Sequence, residues 1–141
     1  MADDEPGAPA TAGQALIAHR EALLATGVLT HADLQRRRGD PTPAATRAWV
    51  SRQRRAGHLI AVTHHGRTLV PAFQLRPDGS PRPELLPLTG ALDAAGVRGW
   101  TAFTWLTQPS AYLSGAVPHE VALREPERAL RAAQRFAQLP V

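Results

Sequence analysis

The stretch Thr30–Val70, THADLQRRRGDPTPAATRAWVSRQRRAGHLIAVTHHGRTLV, holds two helix starts, a tight turn and a hairpin signal in close succession. The Thr30 hydroxyl can accept the amide three residues on, where Asp33 sits to answer with its carboxylate; a short helix is expected from Thr30 to about Arg37. Gly39 and Asp40 then turn the chain. Thr42 is a good N-cap, and Pro43 falls at the first helical position, where its missing N–H costs nothing. The next helix is expected over Pro43–Ala56, closed by Gly57. Beyond it, Leu59–His64 and Arg67–Val70 are short apolar runs around His65-Gly66, the pattern of a β-hairpin.

Two short helices joined by a tight turn, with arginine concentrated on the second, have the pattern of a helix-turn-helix, and the hairpin would be its wing. Thr30–Arg76 carries nine arginines against Asp33 and Asp40, a local charge of +7, while the rest of the chain carries −3 within a net charge of +4. Such a segment suits a phosphate-rich partner. The rotation of the second helix is open between two buried faces: Ala45, Trp49 and Ala56, or Thr46, Val50 and Gln53. Both leave Arg47, Ser51 and one or both of Arg54 and Arg55 outside. Arg47 lies early in the helix, where a guanidinium fork can bind guanine twice. Arg52, Arg54 and Arg55 suit phosphates, and Arg67 lies near the hairpin tip. The candidate DNA-contacting set is Thr46, Arg47, Ser51, Arg52, Arg54, Arg55 and Arg67. Trp49 is expected as a core ring.

Outward from this stretch, the first residues, MADDEPGAPATA, are acidic, small and proline-broken, and residues 1–13 are expected as a disordered arm. A scaffold helix follows from Gln14, with Leu16, Ile17, Leu23 and Leu24 on its inner stripe and Gly27 at its end. On the C-terminal side, RPDGSPRPELLP reads as a turn-rich linker over 76–87, dividing a domain at 14–75 from one at 88–141. The second half is a series of short helices opened or stopped by Gly96, Pro109, Gly115, Pro118 and Pro126. In Gly99–Thr107, Trp100, Phe103 and Leu106 share a stripe. Trp105 points elsewhere, either into a second buried face or into a binding surface. The last helix has an apolar face of Ala129, Leu130, Ala133, Phe136 and Ala137. The whole is expected to be mainly α, a helix-turn-helix with a small hairpin wing followed by a small all-helical domain.

Length and composition set limits. With 141 residues, 43% of them hydrophobic, the chain can bury one modest core or two very small ones. The absence of cysteine excludes disulfides and thiolate metal sites. No apolar run approaches the ~20 residues that span a bilayer, and no secretory pattern opens the chain, so a soluble, cytoplasmic protein without a membrane partner is expected. His58, His64 and His65 lack carboxylate company, and adjacent strand residues face opposite ways, so no metal site is expected. Nor is a cofactor: there is no Gly-rich phosphate loop and no nucleophile set, and the chain reads as a non-enzyme.

The order W-x4-W-L-x2-P-x3-L-x-G-x2-P at Trp100, Trp105, Leu106, Pro109, Leu113, Gly115 and Pro118, followed by EPERALRAA, resembles the toxin-binding domain of Xre/MbcA/ParS antitoxins. GHLIAV and VPAFQL with the following DG are similar to the segment preceding that domain. The resemblance covers roughly 43–139. It implies an antitoxin that neutralises a RES-domain, NAD-degrading toxin by occluding its active site and controls its own operon through operator DNA. Carried over by position, the toxin-facing residues would be Trp105, Tyr112, Leu113, Arg131, Arg135, Phe136, Leu139 and Val141. The assembly would be a homodimer or a larger toxin–antitoxin hetero-oligomer. The alternative is a stand-alone winged helix-turn-helix transcription regulator with a C-terminal dimerisation domain.

Overall fold

Three threonines start the first three helices. Thr11, Thr30 and Thr42 each accept an amide hydrogen bond from the residue three places on, and at Thr11 and Thr30 that residue, Gln14 or Asp33, bonds back to the cap amide. The computed structural model describes residues 11–138. The helices are α1 (Ala12–Leu24), α2 (His31–Arg38), α3 (Pro43–Arg55), α4 (Leu86–Ala94), α5 (Gly99–Thr107), α6 (Pro118–Arg124) and α7 (Pro126–Ala137). Three strands, β1 (Val28–Leu29), β2 (Val62–His64) and β3 (Arg67–Pro71), form an antiparallel sheet in the order β1-β3-β2. The fold is mainly helical with one small sheet. Residues 1–10 of the expected N-terminal arm lie outside the described residues, whereas Thr11–Gly13 cap and open α1.

Gly39 ends α2 at φ +73°, a left-handed conformation that a side chain would strain, and the chain reverses into α3. The rotation of α3 is the second of the two read from the sequence. Thr46 and Val50 are fully buried and Gln53 is half-buried, while Ala56 is exposed. Residues His65 and Gly66, at φ 51° and 76°, make the two-residue turn between β2 and β3, whose register pairs His64 with Arg67. β1 had no signal of its own: two residues cannot display an alternation. It pairs Val28 with Pro71 and Leu29 with Val70.

The stretch 76–87, expected as a linker, is folded. Asp78 accepts both the amide and the hydroxyl of Ser80, Leu75 bridges to Pro81, and Leu85 is buried. The turn lies against α2 so closely that a Cβ on Gly79 would come within 2.5 Å of Arg38 Cγ.

Burial crosses this stretch rather than stopping at it. Leu29, Leu34, Val50, Leu59, Ala61 and Val70 form a core under α2 and α3. A second core, of Leu88, Leu92, Leu106, Val121 and Ala133 among others, also takes in Ile60 from the loop after α3. Between them Leu23 of α1, Val62 and Leu69 of the sheet and Phe103 of α5 pack together. Helix α5 is therefore apolar on two faces, Trp100 and Phe103 toward the sheet and α1, Ala102, Trp105 and Leu106 toward the C-terminal helices.

The loop carrying Ile60 is held by one side chain. Gln74 accepts the Ile60 N–H at 2.9 Å and donates to the Ile60 carbonyl at 2.6 Å, all of it buried. This supplies the partners a strand neighbour would give. By contrast α1 touches the rest of the molecule through its later turns, by His19 on Thr104, Arg20 over Trp100 and the buried Leu23. Leu16 and Ile17, expected inside, are therefore 48% and 59% exposed.

Candidate nucleic-acid interface

Once Thr46 and Val50 are committed inward, the helical repeat fixes what α3 offers to solvent. Arg47, Arg52, Arg54 and Arg55 are exposed, and Ser51 is half-buried, accepting a 2.8 Å hydrogen bond from Arg55 one turn on. None of these four arginines, nor Arg67 on β3, has a carboxylate partner among the described residues. Their forks are free to take phosphate or base edges.

Thr46 is a correction to the expected set. It is fully buried, and its hydroxyl donates to Asp40 Oδ2 at 2.8 Å. The same carboxylate oxygen takes Arg38 Nε at 3.0 Å, and the Arg38 guanidinium lies 3.8 Å from the centre of the Trp49 ring. The Thr46 hydroxyl first, and Arg38 after it, hold the Asp40 carboxyl below its ordinary range. Thr46 thus ties the start of α3 to the turn before it, and Arg38 spends its charge inside the protein. Trp49 is half-buried beneath Arg38.

The α2 side of this surface carries a residue that sequence reasoning missed. His31 follows the Thr30 cap and is half-buried. Burial chiefly, then the charges of Arg47 and Arg54, hold its pKa below 6.5. The only local signal was its place beside a capping threonine, which does not reveal which elements lie across from it. Arg67 and Thr68 of the hairpin border the same cleft as Thr30, His31 and Ala32. Helix α2, helix α3 and the hairpin tip therefore contribute to one basic surface.

The residues carried over as toxin-facing divide. Leu113 is 1% exposed and Trp105 8%, both in the C-terminal core; Trp105 stacks on Phe136 with ring centres 5.2 Å apart. Leu113 is a correction, shut into the core with Leu106 and Val121, and Trp105 is a correction in part, its ring packed in that core with only an edge left to the surface. Arg131 and Arg135 are exposed, Tyr112 lies half-buried under the Arg135 guanidinium, and Phe136 is half-buried. Leu139 and Val141 lie outside the described residues. Thr101, Thr104, Trp105, Gln108, Pro109 and Phe136 line an open, mostly apolar groove of about 300 Å³. Among the described residues no helix is long and apolar enough to cross a membrane.

No family model matches the chain, and no curated protein matches it. It is similar in fold to the NMR structure of Rv2175c, with a TM-score of 0.63 over 79% of this chain and 81% of that one, at 24% identity. At that identity the likeness speaks to the fold alone.

Proposed function

We propose that this chain is a DNA-binding protein of the transcription-regulator class, in which α2 and α3 form a helix-turn-helix and β2–β3 its wing. The observation that carries this reading is the set of exposed, carboxylate-free arginines on α3 and the hairpin, Arg47, Arg52, Arg54, Arg55 and Arg67. In this reading α3 enters the major groove, Arg47 in its first turns meets base edges, and Arg52, Arg55 and Arg67 meet phosphates. Arg54 lies on the same flank as Arg47, since both act on His31.

The test is fluorescence anisotropy of a labelled duplex against salt. With four or five phosphates neutralised per chain, log K should fall against log salt with a slope of about −4. Substituting Arg47 and Arg54 together by alanine should remove preference among duplexes and flatten the slope, with thermal stability unchanged. Duplex binding that is weak, salt-independent and indifferent to the double substitution would overturn the reading.

One observation supports a protein partner beside DNA, the apolar groove along Trp105 and Phe136. It fits the antitoxin reading, with a RES-domain toxin as the occupant. Burial of Trp105 and Leu113 reduces the surface that reading calls for, which is why DNA binding stands first. Co-expression with the product of a neighbouring RES-type gene, scored as a single species on size exclusion, separates the two.

A further inference from the structure

The hairpin tip and the start of α2 enclose an open cleft of about 360 Å³, lined by Thr30, His31, Ala32, Gly66, Arg67 and Thr68. Arg67 is exposed there without a carboxylate partner among the described residues. The nearby acid is Asp33, which accepts the Thr30 amide and is engaged by Arg36 on its other oxygen. From α3, Arg47 and Arg54 bear on His31. From the hairpin comes Arg67, while the ring of the neighbouring His64 lies against Trp100 of α5, ring centres 6.0 Å apart. The cleft is thus walled by cations and neutral groups, its one acid already occupied, and it opens beside the flank of α3 that carries Arg47 and Arg54.

We propose that this cleft seats one phosphate of the DNA backbone, clamped between the Arg67 guanidinium and the His31 imidazole. The inference rests on the DNA-binding reading and adds to it a contact on α2 and a proton. In the free protein partial burial first, and the charges of Arg47 and Arg54 after it, hold the imidazole pKa below 6.5 and so favour the neutral ring. An anionic oxygen arriving in the cleft reverses that balance, and the ring takes one proton from solvent to become a second charged donor. The complex then holds one proton more than its separated components. By linkage the affinity rises as pH falls, by at most about tenfold per pH unit. A phosphate contact carries no sequence information, so the effect is independent of the duplex chosen.

The test uses the full chain and a mixed-sequence duplex of about 24 base pairs at constant ionic strength, read by anisotropy from about pH 8 to about pH 6. Affinity should rise about 3- to 10-fold over that interval. His31→Gln should bind within about twofold of the unsubstituted chain at the alkaline end and lose the rise. His31→Lys, carrying a permanent charge, should bind tightly at both ends, which distinguishes loss of the contact from loss of the fold. Arg67→Ala should lower the salt slope by about 0.9. Histidines 58, 64 and 65 are common to all the variants, so the difference isolates His31.

An NMR titration of the His31 ring separates the sources of phosphate. Its pKa should move up with the duplex and stay in place with inorganic phosphate at matched ionic strength. An equal shift with inorganic phosphate, or an unchanged pH dependence in His31→Gln, overturns the assignment. A chain that binds no duplex at low salt at any pH overturns the DNA-binding reading itself and the assignment with it.

Discussion

Replacing Gln74 by methionine conserves shape and removes two hydrogen bonds. Gln74 is 2% exposed and Ile60 7%, and the glutamine amide closes on both backbone groups of Ile60, at 2.9 Å and 2.6 Å. Among the described residues neither group has another backbone partner in the turns and loops. After substitution a buried N–H and a buried C=O are left without partners, at about 1–3 kcal/mol each, or roughly 2–6 kcal/mol together. For a chain of this size each kcal/mol lowers the melting temperature by about 3–5 °C, so the expected fall is on the order of 10–20 °C. The loss should be felt in both halves, because Leu59 and Ala61 belong to the core under α3 and Ile60 to the C-terminal core. Urea unfolding followed by circular dichroism and by tryptophan fluorescence gives the stability and tests whether the two signals stay coincident. A Gln74→Met chain within about 0.5 kcal/mol of the unsubstituted one would refute the reasoning, since the loop would then hold its position without the clamp.

Phe103→Ala removes a fully buried ring from the junction of α1, the sheet and α5; it should cost about 3–5 kcal/mol in denaturant unfolding while leaving one transition. Gly79→Ala combines φ +83° with a 2.5 Å approach to Arg38 Cγ; a drop of about 1–3 kcal/mol is expected, together with a change in the Trp49 environment by near-ultraviolet circular dichroism. His119 packs at a tilt against Phe73, ring centres 4.5 Å apart, and burial above all holds its pKa below 6.5. The unfolded chain therefore binds this proton more readily than the folded one, so the stability contributed is full above about pH 6.5 and is lost as pH falls through the folded value. The urea midpoint should decline in that window, and His119→Leu should make the decline shallower; an unchanged slope would exonerate His119. Arg47→Ala with Arg54→Ala should abolish duplex discrimination and leave the melting temperature within about 2 °C, as surface changes do.

What the sequence displayed was local. The capping box of Thr30 and Asp33, the Thr42–Pro43 start and the His65-Gly66 turn each involve neighbours in the chain, and each is where it was expected. The rotation of α3 was narrowed to two faces and no further, because an arginine-rich helix with alanines between carries too few large side chains to mark one face. Thr46 fell among the candidate contacts for that reason, since nothing nearby in sequence tells that Asp40 waits for its hydroxyl. The pairing of Gln74 with Ile60 spans 14 residues and leaves no periodic trace. Proline and glycine made 76–87 read as a linker, yet the same residues build a tight turn against α2, and one leucine, Leu85, is enough to anchor it in the core. Ile17 and Leu16 follow the helical stripe, but a stripe does not report where the opposing surface ends.

Because Leu59 and Ala61 sit in the core under α3 while Ile60 sits in the C-terminal core, and α5 joins that second core to the sheet, the bearing of α7 relative to α3 is set by continuous packing. A body attached to α7 would inherit that bearing. On a duplex held by α3, such cargo would sit at one azimuth around the DNA axis, and moving the binding site by half a helical turn would carry it to the opposite side.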